Sequence, residues 1–201
     1  MILISAFEPF DIDPENSSEL VLQALSQQKN VVKTILPVSF AKAWPALLEQ
    51  IHHHDPEIVL SLGQADRRDK ISLEQVALNL LEARIQDADG EQPTGQFISA
   101  DGPLALLSRL PNSQLLSKLT QTGIEAEISF HAGTYVCNAL MYKLLEWALK
   151  TKRYAGFVHL PLLQEQRLGH GRVRPQAHMK LATAVTAVGL LLDELRNVRR
   201  S

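Results

Sequence analysis

The chain contains one cysteine, Cys137, and its surroundings are better suited to covalent chemistry than any other stretch of the sequence. It lies in SFHAGTYVCNALMY, residues 129–142. A strand-like run ends there, Ala132-Gly133-Thr134 makes a small turn, and a periodic helix begins. The thiol falls near the first turn of that helix, beside unpaired backbone N–H groups and the positive end of the helix dipole. Both are expected to lower a thiol pKa and promote the thiolate. The same N–H groups can stabilise an oxyanion. This is the pattern of a nucleophile for acyl transfer. The ordinary alternative is a small buried core residue.

Such a nucleophile needs a base, and the base needs a group to orient it. The histidines are His52, His53, His54, His131, His159, His170 and His178. His52–His54 end a helical stretch, where adjacent side chains point in different directions, so solvation suits them better than metal ligation. His159 interrupts an apolar strand just before Leu160-Pro161. It reads as a satisfied core histidine or as a site residue at the sheet's carboxyl edge. His131 precedes the cysteine turn and is the competing base. Carboxylates near strand ends are Glu8, Asp66, Asp69, Glu74 and Glu82, and spacing does not choose among them. The residues support a cysteine-dependent acyl-transfer enzyme, with a simple binding domain as the rival.

The elements that must bring these groups together alternate in type. Apolar runs at 1–7, 31–38, 57–63, 125–130 and 155–161 read as strands. Helical periodicity occupies 17–28, with Asn16 or Ser17 as N-cap, then 40–54, 112–122, 135–150 and 176–197. The polar stretch 86–103 reads as loop with short strands, and 165–175 as loop. Strand and helix in alternation predict a single α/β domain over 1–201. Three α/β/α layers would enclose a mostly parallel or mixed twisted sheet, of the kind used by phosphorylases and hydrolases. Sites in such folds lie at the carboxyl ends of the strands.

Composition narrows the function classes. The net charge of -2 gives no electrostatic footprint for nucleic acid or anionic membrane. The cluster Arg196, Arg199 and Arg200 reads as a solvated helix end. A lone cysteine forms no intrachain disulfide, which fits a reducing, cytoplasmic compartment. MILISAFEPF reads as a first strand rather than a signal peptide. No apolar run approaches the ~20 residues of a membrane span.

Four segments, in order along nearly the whole chain, resemble the pyroglutamyl peptidase type I (pyrrolidone-carboxylate peptidase) family. ILISAFEPF (2–10) resembles its opening Gly-Phe-x-Pro-Phe strand. GQADRRDKISLEQVALNLLEAR (63–84) resembles its Gly-Gln-Ala … Glu-Arg-Val-Ala-Ile-Asn … Ala-Arg block. AGTYVCN (132–138) resembles its nucleophile motif, and GFVHLP (156–161) with Glu165-Gln166 its Gly-Phe-Ile-His-Ile-Pro … Glu-Gln segment. The resemblance implies hydrolysis of N-terminal pyroglutamyl peptides through a thioester, with no metal or organic cofactor. It implies Cys137 as nucleophile, His159 as base, Glu74 as the orienting carboxylate and Arg84 near the oxyanion. Phe7 and Phe10 match ring-binding phenylalanines, Asn16 and Gln64 match polar pocket positions, Tyr135 stands where the family usually has a phenylalanine, and Val136 beside it is counted with the substrate-binding residues. A pyroglutamyl ring is flat and neutral, so apolar walls and a few placed hydrogen bonds suit it. The resemblance also implies a homo-oligomer, often a tetramer.

The sequence departs from the family pattern in its loops. Ala6 replaces a glycine, Asp11-Ile12 and Asp66-Arg67 replace glycine pairs, Asn16-Ser17-Ser18-Glu19 replaces Asn-Pro-Ser-Trp, and Ala139 replaces a histidine. Lost glycines matter where the backbone needs φ > 0 or close approach. Two rivals follow: a same-fold hydrolase of another cyclic or blocked amide, and a non-catalytic binding protein on this scaffold.

Overall fold

The computed structural model describes residues 1–171 and 179–198. The expected loop at 172–175, the helix start at 176, His178, Arg199 and Arg200 lie outside the described residues. Eight strands and five helices are described: β1 (Ile2–Phe7), α1 (Ser17–Ala24), β2 (Val31–Leu36), α2 (Ala43–His54), β3 (Ile58–Gln64), β4 (Ile71–Glu74), β5 (Val76–Leu78), β6 (Ala105–Leu107), α3 (Asn112–Gln121), β7 (Ala126–Ser129), α4 (Val136–Thr151), β8 (Tyr154–Leu160) and α5 (Leu181–Val198). No helix among the described residues is long and apolar enough to cross a membrane.

Six strands form one sheet in the order β2-β1-β3-β8-β4-β7. The first four are mutually parallel, whereas β4 runs antiparallel to β8 and parallel to β7. The sheet is therefore mixed. β5 and β6 pair separately as an antiparallel ribbon beside α4. Strands β4 and β5 carry no long apolar run of their own, so sequence periodicity does not separate them from the irregular middle of the chain.

Side chains alternate across the sheet, and this alternation positions the site. On β8, Val158 and Leu160 join the core beneath α1, α3 and α5, while Ala155 and Phe157 join the core beneath α2 and α4. His159 shares the parity of Phe157. On β4, Ile71 and Leu73 belong to the first core, which turns Ser72 and Glu74 toward α4. On β3, Ile58, Leu60 and Leu62 do the same, turning Gly63 toward α4. Three strands thus present His159, Glu74 and Gly63 to the helix that bears the cysteine.

That helix is anchored at its start. Asn138 is fully buried. Its Oδ1 accepts from Leu78 N–H at 2.9 Å, and its Nδ2 donates to the Leu78 and Leu80 carbonyls at 2.9 and 3.1 Å. The residue after the thiol therefore fastens α4 to β5. Asn138→Ala removes three hydrogen bonds and strands backbone polar groups, so unfolding in urea should show a loss of about 2–4 kcal/mol. A loss below about 0.5 kcal/mol would show that the anchor carries little stability.

Candidate active site

Glu74 is the deepest polar group of the site, with its side chain fully excluded from solvent. Opposite it on β8 stands Phe157, and His159 lies on the diagonal. A long side chain reaches that diagonal on one sheet face. His159 Nδ1 and Glu74 Oε1 are 2.7 Å apart. Arg68, in the loop between β3 and β4, donates from Nη1 to the same Oε1 at 2.5 Å. Burial pushes the Glu74 carboxyl upward. The hydrogen bond and charge of His159, the neighbouring Ser129 hydroxyl and the nearby Arg68 guanidinium outweigh that and hold it below the usual carboxylate range. An ionised carboxylate only accepts, so His159 Nδ1 carries the proton, and in the neutral ring the lone pair is the one on Nε2.

The thiol approaches from α4. Tyr135 is the N-cap and Cys137 the second residue of the helix, as its position after the turn predicts. Gly133 adopts φ 84° in that turn, a conformation other residues rarely take. A Cβ on Gly63 would fall 3.0 Å from Cys137 Sγ and 2.8 Å from the Phe157 ring. Gly63 is paired in register with His159, so the sulfur hangs over the strand pair that carries the imidazole. Cys137 and His159 line the same cavity and, among the described residues, share no direct hydrogen bond. Contacts of this kind are often loose in an unliganded enzyme and tighten on substrate binding.

The expectation of a lowered thiol pKa is overturned. Burial pushes the Cys137 thiol up to about 12, and the Glu74 charge adds to the rise; Arg68 and a backbone N–H oppose it only in part. A helix end is worth about 0.3–1 kcal/mol to an exposed charge, less than the cost of desolvating a thiolate in this position.

His131, the competing base, is exposed, and its Nδ1 accepts from Gly133 N–H at 3.0 Å. Among the described residues, Glu74 is the candidate carboxylate seen against a histidine ring. Glu8, Asp69 and Glu82 are exposed. His52 and His53 are exposed at the end of α2, and His170 is exposed too. No group of three metal-ligating side chains is found among the described residues.

The cavity has a volume of about 860 Å³ and is lined by Phe7, Phe10, Asn16, Gln64, Arg84, Tyr135 and other residues. Phe10 and Tyr135 rings lie 5.9 Å apart, and Phe7 packs on Phe157 with centroids 6.4 Å apart. The Tyr135 hydroxyl donates to the Gln86 carbonyl at 2.9 Å and Thr134 Oγ1 to the Glu82 carbonyl at 2.7 Å, tying the segment that bears Arg84 to the turn before Cys137. Gln64 Oε1 accepts from Ser17 N–H at 2.8 Å and from Gln166 Nε2 at 2.7 Å. A backbone N–H can only donate, so the amide orientation follows, and Gln64 offers its Nε2 as a donor. Asn16 caps α1: its Oδ1 accepts from Ser18, and its Nδ2 donates to the Glu8 carbonyl at 3.0 Å. The side chain of Val136 is buried with the α2–α4 core and lines a second, smaller cavity instead.

Arg68, Gly63 and Gln166 are brought to the site by the fold. Sequence reasoning did not single them out as functional. All three fall in segments already quoted, Gly63 and Arg68 within 63–84 and Gln166 after 156–161. Arg68 carries no further signal of its own in the sequence.

A mixed α/β/α sandwich with a thiol, an imidazole and a buried carboxylate converging on one cavity is the architecture of a cysteine hydrolase. The sequence matches the pyroglutamyl peptidase family over residues 1–194, and the chain belongs to that family. It is 38% identical over 197 residues to the pyrrolidone-carboxylate peptidase of Erwinia tasmaniensis, covering 96% of this chain and 91% of that one. It is 37% identical over 173 residues to that of Bacillus subtilis, covering 83% and 80%. The crystal structure of Bacillus amyloliquefaciens pyroglutamyl peptidase I superposes with a TM-score of 0.84 at 31% identity, covering 94% of this chain and 93% of that one. The pyrrolidone carboxyl peptidase of Thermococcus litoralis superposes with a TM-score of 0.87 at 34% identity, covering 98% and 94%.

Two outcomes are expected from this geometry. Alkylation of Cys137 by iodoacetamide should accelerate about tenfold per pH unit between pH 7 and 10, because the thiolate is a small fraction throughout. A plateau near neutral pH would contradict a raised thiol pKa. Gly63→Ala should press on the Phe157 ring and the sulfur, lowering kcat at least tenfold and costing about 1–3 kcal/mol of stability. Wild-type kcat in that variant would mean the sulfur has room to spare.

Proposed function

We propose that this protein is a cysteine peptidase that removes the N-terminal pyroglutamyl residue from peptides, with Cys137 as nucleophile, His159 as base and Glu74 as the carboxylate that orients it. The observation that carries this reading is the buried 2.7 Å contact between Glu74 and His159, facing a cavity that Cys137 shares, in a chain matched to the family over most of its length.

The resting nucleophile is a neutral thiol. Substrate entry displaces water and brings the scissile carbonyl to Sγ. As sulfur attacks the carbonyl carbon, the thiol proton passes to His159 Nε2, and Glu74 stabilises the imidazolium through Nδ1–H. The oxyanion faces N–H groups at the start of α4, with Arg84 as a further cation on the cavity wall. Collapse expels the amine, which takes the proton from His159 and leaves a thioester. Water, deprotonated by the same imidazole, then releases pyroglutamate and restores the thiol.

The ring is held by shape and by few polar contacts. Phe10 and Tyr135 supply apolar faces, Phe7 closes the floor and the Gln64 Nε2 donor suits a lactam carbonyl. Asn16 contributes by fixing the loop after β1. A cytoplasmic location is supported by the single unpaired cysteine. A homo-oligomer is supported by Leu104 and Leu107, exposed at 76% and 63% around the β6 ribbon.

Hydrolysis of a pyroglutamyl-aminomethylcoumarin reporter, compared with prolyl and acetyl reporters, tests the activity. Pyroglutamyl turnover should dominate; turnover of another reporter alone would transfer the enzyme to a different amide class. Cys137→Ala should abolish turnover while the protein stays folded. Glu74→Gln should reduce kcat by roughly 10²–10⁴-fold without eliminating it, because the residue orients rather than attacks. Unchanged kcat would move the orienting role elsewhere.

A further inference from the structure

Arg68 is in contact with the site from a direction that the Cys137–His159–Glu74 set leaves unaccounted for. Its side chain is 22% exposed, and it pairs with a carboxylate that water does not reach. Nη1 donates to Glu74 Oε1, the same oxygen that His159 Nδ1 contacts. Nη2 donates to the carbonyl of His131 at 2.8 Å. His131 opens the turn that leads to Cys137, and its ring accepts from Gly133 N–H in that turn. One planar guanidinium therefore bridges the carboxylate and the backbone of the cysteine turn, just beyond the point where the β4–β7 pairing ends at Glu74 and Ser129. Its fork geometry permits both contacts at once, which a lysine ammonium on a flexible stem does not reproduce.

We propose that Arg68 is a positioning residue for the reaction: it holds Glu74 in the ionised, oriented state that fixes the His159 tautomer, and it ties that carboxylate to the turn carrying the nucleophile. This rests on the functional reading above for its meaning, but its geometry is independent of the substrate.

The charges around the imidazole set the sign of the effect. Glu74 faces it from β4, Arg68 from the β3–β4 loop and Cys137 from α4; the neighbouring part of β3 contributes no titratable group, and His131 lines the cavity at the turn. Removing Arg68 leaves the Glu74 charge uncompensated beside the ring. Imidazolium is then favoured, and so is protonation of Glu74. Both move the acidic limb of activity in the same direction, toward higher pH.

The test is the pH profile of kcat/KM for wild type, Arg68→Gln and Arg68→Lys, with folding checked by thermal unfolding. In Arg68→Gln, kcat should fall roughly tenfold to hundredfold with KM little changed, and the acidic limb should rise by about one pH unit. Arg68→Lys should return the limb close to its wild-type position while recovering only part of kcat. A loss that merely reflects weakened packing would lower the whole profile without moving the limb. An unmoved limb in folded Arg68→Gln, or a limb equally displaced in Arg68→Lys, overturns the proposal. If wild type hydrolyses no pyroglutamyl reporter, the functional reading fails, and Arg68 is read through its effect on the thiol instead. Alkylation of Cys137 at pH 9 should then be about fivefold slower or more in Arg68→Gln, and equal rates overturn the proposal.

Discussion

The contact between Glu74 and His159 is the constraint on which the rest of the site depends. A carboxylate with no access to water is costly unless charge and hydrogen bonds compensate it. Here the compensation comes from β8 through His159 and from the β3–β4 loop through Arg68. His159 lies 85 residues from Glu74 along the chain, so the sheet order makes that meeting, whereas Arg68 lies only six residues before it, in the loop that leads into β4. β4 runs antiparallel beside β8, and the pleat turns both side chains toward α4. Displacing β4 by one residue would send Glu74 to the opposite face, into the core that holds Ile71 and Leu73.

The sulfur is placed by a complementary constraint, lack of space. Gly63 and Phe157 define how closely Sγ approaches the strand pair, and Asn138 fixes the helix that carries it. The resulting burial raises the thiol pKa rather than lowering it. The favourable field at the start of α4 is therefore better suited to charge that develops on the substrate oxygen than to a stored thiolate. Under the proposed mechanism, a neutral resting thiol and His159 as its base form a consistent pair, since the proton has somewhere to go only once substrate completes the site.

The loops that depart from the family pattern are accommodated in different ways. Asp11 takes φ 55°, a left-handed conformation that an aspartate tolerates comparatively well. Asp66 and Arg67 are not among the residues with positive φ. The loop after β1 is seated against the segment after β8: Gly169 N–H donates to Asp13 Oδ1 at 2.9 Å, Gln166 Nε2 donates to the Glu15 carbonyl at 2.9 Å, and a Cβ on Gly169 would strike the Ile12 carbonyl oxygen at 2.3 Å. The wall of the cavity is thus braced by a second loop rather than by glycine flexibility.

The sequence by itself determined the periodic elements, the nucleophile's place after a strand and a turn, and, through four ordered motifs, the family. Those are properties of neighbouring residues, carried by hydrophobic period and local turn chemistry. Residue spacing left open which of two histidines meets which of five carboxylates, and only the family resemblance pointed to His159 and Glu74, because a strand's neighbours in a sheet are set by long-range packing and not by spacing. It also led to the wrong sign for the thiol pKa: helix position is local, whereas desolvation depends on everything that closes over the sulfur. The short strands β4 and β5 were illegible for a similar reason, since three or four residues carry too little period to be seen. Tertiary structure decided the pairing of His159 with Glu74, the packing of the Cys137 sulfur over Gly63 and the reach of Arg68 to the His131 carbonyl, because each is a contact between segments whose approach only the completed sheet determines.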